Sequence, residues 1–193
     1  MLHLVHRPLR IALAAALLST GAISLSTYSA AQEKTVTVGG APMYPSKNIV
    51  ENAVNSKDHT TLVAAVKAAG LVDTLSGPGP FTVFAPTNEA FNKLPAGTVD
   101  TLVKPENKAT LTKILTYHVV PGKMSATDLG AKIKQGGGKT MLKTVQGEDI
   151  IAEMSGGKVV LVDAKGGKST VTIADVNQSN GVIHVVDTVL MPK

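Results

Sequence analysis

The chain has 193 residues, 44% of them hydrophobic and 17% charged, enough apolar material for one globular domain and too much for a disordered chain. Aromatics are only 3% with no Trp, so a nucleic-acid surface built on base stacking lacks its main ingredient. The formal charge of +5 falls to +3 once Arg7 and Arg10 are set aside, and the remaining cations are lysines interleaved with acids, a solvated mixed surface rather than a phosphate-gripping patch.

Residues 1–31 read as a secretory signal. His3, His6, Arg7 and Arg10 precede an apolar core from Ile11 to Leu18, and small residues lead to Ser29-Ala30-Ala31, after which cleavage is expected. Ser19, Thr20, Gly21 and Ser24 break the run before it reaches the roughly 20 residues that a membrane span needs. No stable membrane insertion is therefore expected after cleavage, and the product would be periplasmic or released. With no Cys in the chain, an exported domain of this length must be held by its core alone.

Residues 32–47 are polar with Gly and Pro, a flexible lead-in. The domain is expected to span residues 48–192. Asn48 to Val54 can form a short helix burying Ile49, Ala53 and Val54. Asp58 is a candidate cap for a longer helix with the stripe Leu62, Ala65, Val66 and Ala69, stopped by Gly70. Leu71 to Leu75 adds one turn, and Ser76 to Pro80 can be neither helix nor strand interior. Thr82-Val83-Phe84 then suits a strand that Pro86 closes, and Thr87 can cap a helix carrying Glu89 in its first turn and Phe91 on its apolar side. A short helix follows with Val99, Leu102 and Val103. After Pro105 comes one with Leu111, Ile114, Leu115 and His118 on a single face. Ser125 to Asp128 matches a capping box for one turn closed by Gly130.

From Gly136 the period changes to two. Five strands are expected at Met141–Val145, Glu148–Met154, Lys158–Asp163, Ser169–Val176 and Gly181–Leu190, joined by tight turns that force antiparallel neighbours. Val182 to Val186 is apolar on nearly every side and belongs in the middle of the sheet. Helices first and a meander second give an α+β domain with helices packed on one side of the sheet.

Three blocks carry a family resemblance: Thr82 to Phe91, Tyr117-His118-Val119-Val120-Pro121, and Asn180 to Asp187 continuing through Leu190-Met191-Pro192. In this order, across Asn48 to Pro192, they resemble a single fasciclin (FAS1) domain of the secreted bacterial type. The resemblance implies a wedge-like antiparallel β-sandwich flanked by helices. It also implies an extracellular role in cell adhesion, matrix organisation, or binding of surface proteins or glycans. In matrix members an Asp-Ile pair and the tyrosine-histidine block are implicated in receptor binding. The corresponding residues here are Asp175, Val176, Tyr117 and His118. Val176 is smaller than the usual partner, and Ala174 and Asn177 depart from the receptor-binding pattern, which argues against an integrin-type partner.

The bland reading of Tyr117 and His118 is a hydrogen-bonded seam between helix and strand, and His184 reads as a satisfied core histidine. Asp175, placed at a strand end, is expected to be exposed, so that Asp175→Ala leaves stability nearly unchanged.

Catalytic patterns fail. Gly138-Lys139-Thr140 and Gly167-Lys168-Ser169 lack the first glycine of a phosphate loop, there is no G-x-S-x-G elbow, and no Cys is available as a nucleophile. His59, His118 and His184 never stand at metal-ligand spacing. The expectation is a non-enzymatic interaction module without cofactor or metal and without a nucleic-acid partner. Its alternatives are a small-molecule binder using a groove between helices and sheet, or a hydrolase, and the sequence leaves its partner and oligomeric state open.

Overall fold

A computed structural model of the chain describes residues 34–193. The proposed signal and its cleavage point lie outside the described residues. The segment expected to be a loose lead-in is instead a hairpin, β1 (Val36–Val38) and β2 (Ala41–Met43), which buries Val38, Ala41 and Met43. Gly39 and Gly40 both have positive φ, the conformation a two-residue hairpin loop requires. Alternation over three-residue strands is too brief a pattern to outweigh the polar composition around it.

Helix α1 (Ile49–Ala53) begins with a capping box in which Asn48 and Glu51 bond each other's backbone N–H. It buries Ile49, but Val54 is exposed, contrary to expectation. Helix α2 (Thr60–Ala69) buries the predicted stripe and ends at left-handed Gly70. Its N-terminus is not capped by Asp58, which lies inside a 3₁₀ turn, Lys57–His59. The cap comes from a distant residue: Asn88 Oδ1 accepts from Thr61 N at 3.0 Å, while Asn88 Nδ2 donates to Lys57 O at 2.8 Å. Helix α3 (Val72–Ser76) leads through the Gly-Pro loop to β3 (Phe81–Pro86). There Thr87 caps α4 (Asn88–Asn92) by accepting from Ala90 N at 3.2 Å, as its position in the sequence suggested. Helices α5 (Thr98–Leu102) and α6 (Lys108–Tyr117) follow, then β4 (Val119–Pro121).

Helix α7 (Ala126–Gln135) has the expected Ser125–Asp128 box but runs ten residues instead of stopping at Gly130. Leu129 and Ile133, one turn apart and fully buried, hold it past that glycine: their packing outweighs the roughly 1 kcal/mol that a mid-helix Gly costs relative to Ala. Gly138 therefore belongs to a helix-to-strand connection. The remaining strands are β5 (Lys139–Lys143), β6 (Asp149–Ser155), β7 (Lys158–Val162), β8 (Lys168–Gln178) and β9 (Gly181–Val186).

Seven strands form one sheet in the order β4-β3-β9-β8-β7-β6-β5, so β9 lies inside it, between β3 and β8. The α+β class is as expected, while two details are not. The sheet is mixed, because β3 and β9 run parallel from Phe81–Gly181 to Pro86–Val186. Tight turns fix the sense of consecutive strands only, and these two are far apart in the chain. Their close approach depends on Gly181, where a Cβ would stand 2.1 Å from Phe81 O. The helices also do not all pack on one side. The sheet curls until Val145 N donates to Val119 O at 2.8 Å, joining the residues after β5 to β4, and α7 fills the interior of that curl.

Two cores result. Val83 and Ala85 of β3 and Ile183 and Val185 of β9 face α1–α6. The alternate residues, Phe84 and Val186, face Leu129, Ile133, Ile150 and Leu161 inside the curl. Period-two geometry thus explains why β9 must be apolar on both faces.

Candidate functional site

The three signature blocks meet where β3, β4 and β9 lie side by side. Phe84 N donates to His118 O at 2.9 Å and Phe81 N to Asn180 O at 3.0 Å. Asn180 extends the tie to the helices: its Oδ1 accepts from Ile49 N at 3.0 Å, and its Nδ2 donates to Leu75 O and Gly77 O.

Tyr117 and His118 end α6 in the interior. The Tyr117 hydroxyl donates to Asp149 O at 2.9 Å and accepts from Ala164 N at 3.0 Å, bracing the start of β6 against the turn after β7. Burial pushes its phenol up to about 12. His118 Nδ1 lies 2.8 Å from Ile114 O, and because a carbonyl only accepts, Nδ1 carries the proton. Nε2 is then the acceptor for Leu190 N–H at 2.9 Å. Burial lowers this imidazole to about 4, only partly opposed by the bond to Ile114 and by Asp163. A second proton would set Nε2–H against Leu190 N–H, donor against donor.

His184 holds the opposite tautomer. Its Nε2 donates to Met124 O at 2.8 Å, and Nδ1 accepts from Asp175 N at 3.3 Å. Burial lowers its pKa too, and its ring stacks on Phe84 with centroids 5.8 Å apart. Thr82 completes the node by donating to Gly122 O at 2.6 Å and accepting from Met124 N at 2.9 Å. The loop from β4 to α7 is thereby fastened by β3 and β9.

Asp175 fastens the start of α7. It has φ of 58°, a left-handed conformation that Asp tolerates better than most residues. Its Oδ1 accepts from Ala126 N at 2.7 Å, at the positive end of the helix. The strand does not end there, as the sequence suggested, but continues to Gln178 through irregular pairing between Ile173 and Val176. That irregularity turns Val176 inward, where it is 1% exposed. Of the four residues expected to contact a partner, Tyr117, His118 and Val176 are therefore shielded from solvent, and Asp175 is half-buried with its carboxylate engaged. The motif is legible in sequence, but Tyr117, His118 and Asp175 are bonded internally to Asp149 and Ala164, to Ile114 and Leu190, and to Ala126.

His59 did not stand out in the sequence. It is 3% exposed, and its Nδ1 pairs with Ser56 Oγ at 2.9 Å. Nε2 is directed toward the Ala85 carbonyl without meeting hydrogen-bond geometry, and it has no partner among the described residues. Its ring and that of His118 line an apolar cavity of about 50 Å³ between α1–α3 and the β3–β9 pair. Among the described residues no group of three or more His, Asp or Glu could hold a metal ion, and no helix is long and apolar enough to cross a membrane.

The fasciclin-domain family model matches residues 57–192, which contain all three blocks. The chain belongs to the fasciclin domain family. It is 51% identical over 160 residues to protein sll1483 of Synechocystis, covering 83% of this chain and 82% of that one. It is 37% identical over 145 residues to the cell surface glycolipoprotein MPB83 of Mycobacterium bovis, covering 72% and 58%. Its 36% identity over 148 residues to the pig transforming growth factor-beta-induced protein ig-h3 covers 77% of this chain but 20% of that protein. Among solved structures, the FAS1 domain pair of the insect cell adhesion molecule Fasciclin I superposes with a TM-score of 0.66 at 23% identity, over 75% of this chain and 51% of that one. This last likeness establishes the fold. In this chain His118, His184 and Tyr117 are bonded internally.

Proposed function

We propose that the protein is an exported, non-enzymatic interaction module that binds a cell-surface or matrix component through the outer face of its sheet. One observation carries this reading. Met141, Ile151 and Val162 stand side by side across β5, β6 and β7 on the face away from the core, and Met141 is 66% exposed. Lys139 opposite Glu153 and Lys143 opposite Asp149 flank this row. An apolar strip with a charged border is the composition of a protein contact more than of a glycan contact, so a surface or matrix protein is the favoured partner. Relatives named as a cell surface glycolipoprotein and a cell adhesion molecule support export and adhesion. The signature polar groups are bonded internally, which supports binding over turnover.

The test is capture of envelope and extracellular components by the immobilised full chain, compared with Met141→Lys. The substitution is on an exposed strand position and should keep the melting temperature within about 2 °C, since surface changes usually stay within about 0.5 kcal/mol. Loss of the captured partner supports the reading. Equal capture by the variant removes it.

A further inference from the structure

The cavity beside His59 is closed at its base by β-strand residues Val83, Ala85, Ile183 and Val185, and walled by Leu62 and Val66 of α2. At its outer side stand Val50, Val63 and Val72, all half-buried, with the exposed Lys67. Its lining is apolar apart from the two imidazoles and Lys67 at the outer side. The His118 nitrogens are both used, by Ile114 O and Leu190 N, so His59 Nε2 is the one buried side-chain nitrogen there left without a bond among the described residues. A buried polar atom left in this condition is unusual and needs a partner.

Water is a poor candidate. A buried water typically makes about three hydrogen bonds, and this site offers at most two partners, the His59 nitrogen and the Ala85 carbonyl, in an otherwise apolar lining. A hydroxyl attached to an apolar body fits better, because the valines and leucine hold the body while one oxygen serves His59. Ser56 Oγ can donate to Nδ1 or accept from it, so Nε2 can be either acceptor or donor. A hydroxyl can answer both states, whereas a carbonyl answers only one.

We propose that this cavity is a binding site for an apolar molecule carrying one hydroxyl, the hydroxyl end entering toward His59 and the rest lying between α1, α2 and α3. A volume of about 50 Å³ admits only the leading few atoms, since a cavity of about 150 Å³ is what accommodates benzene. The remainder of the ligand displaces the half-buried valines at the outer side. This site is separate from the outer sheet face, so its failure would leave the surface-contact reading untouched.

The probes are 1-hexanol and hexane, added to the full chain and followed by methyl NMR of Ile49 and Ile183 and by the ring nitrogen shifts of His59. Hexanol should perturb those methyls saturably, at least tenfold more tightly than hexane, and should move the His59 Nε2 resonance. His59→Phe, which keeps a ring of similar size, should cut the preference to less than twofold. Val63→Trp should block both probes with His59 intact, and it keeps the test alive if the first variant fails to fold. An absence of saturable binding, equal binding of the two probes, an unmoved Nε2 resonance, or a preference that survives His59→Phe would each overturn the proposal.

Discussion

His118 and His59 line the same cavity and are each 3% exposed, yet they are opposite in what their nitrogens do. His118 spends both, one on the helix it ends and one on the C-terminal segment at Leu190. His59 spends one, on Ser56, and leaves the other without a hydrogen bond beside the Ala85 carbonyl. Burial alone therefore does not say what a histidine is for. An imidazole with both sides bonded fastens the fold, and one with a side left over is where a ligand can be recognised.

The largest effect that would sharpen this contrast is at His118. His118→Ala removes a buried ring and strands Leu190 N–H, and should cost about 3–5 kcal/mol in denaturant unfolding. Less than about 1 kcal/mol would break the contrast. Next is pH. The unfolded chain protonates this residue near 6.5, but the folded protein resists until about pH 4. The unfolded state therefore binds more protons in that window. Stability is whole above pH 6.5 and falls as the pH drops toward about 4, by on the order of 3 kcal/mol for this group alone. The lowered pKa values of His184 and His59 act in the same direction. In His118→Phe this acid loss should shrink, which urea melts at pH 7 and pH 5 would show.

Asp175→Ala comes third. It releases the first turn of α7 from β8 and should cost about 1–3 kcal/mol, with hydrogen exchange rising first at Ala126 and its neighbours. From sequence alone Asp175 stands at an exposed strand end, where almost no change is expected; the bond to Ala126 N makes the difference. The smallest effect belongs to His59→Phe. It removes an unpaired buried nitrogen along with a single bond to Ser56, so thermal melting should register a change of no more than about 1 kcal/mol in either direction.

Much of the fold was legible because its signals are local. The stripe Leu62-Ala65-Val66-Ala69, the Thr87 cap and the two-sided apolar strand Val182–Val186 each state their own environment. Signals that depend on a remote partner were misread or missed. Asn88 supplies the cap sought at Asp58, Leu129 and Ile133 carry α7 past Gly130, and the parallel pairing of β3 with β9 has no turn to announce it. The site divides the same way. Tyr117, His118 and Asp175 stand out as a motif, but whether a motif side chain faces a partner or a backbone carbonyl is decided by segments such as Ile114, Met124 and Leu190. His59 carried no motif at all. Only the position of its second nitrogen, set by Ser56 and the packing of α2 on β3, distinguishes it.

The central claim, that the signature histidines are neutral internal fasteners with fixed and opposite tautomers, is tested most directly by ring nitrogen NMR of the full chain from pH 7.5 to 5. The account predicts a proton on Nδ1 of His118 and on Nε2 of His184, with the His118 resonances flat across the range. A His118 signal that titrates near 6.5, or that averages between tautomers, would mean the ring is free to meet solvent or a partner and would contradict the account.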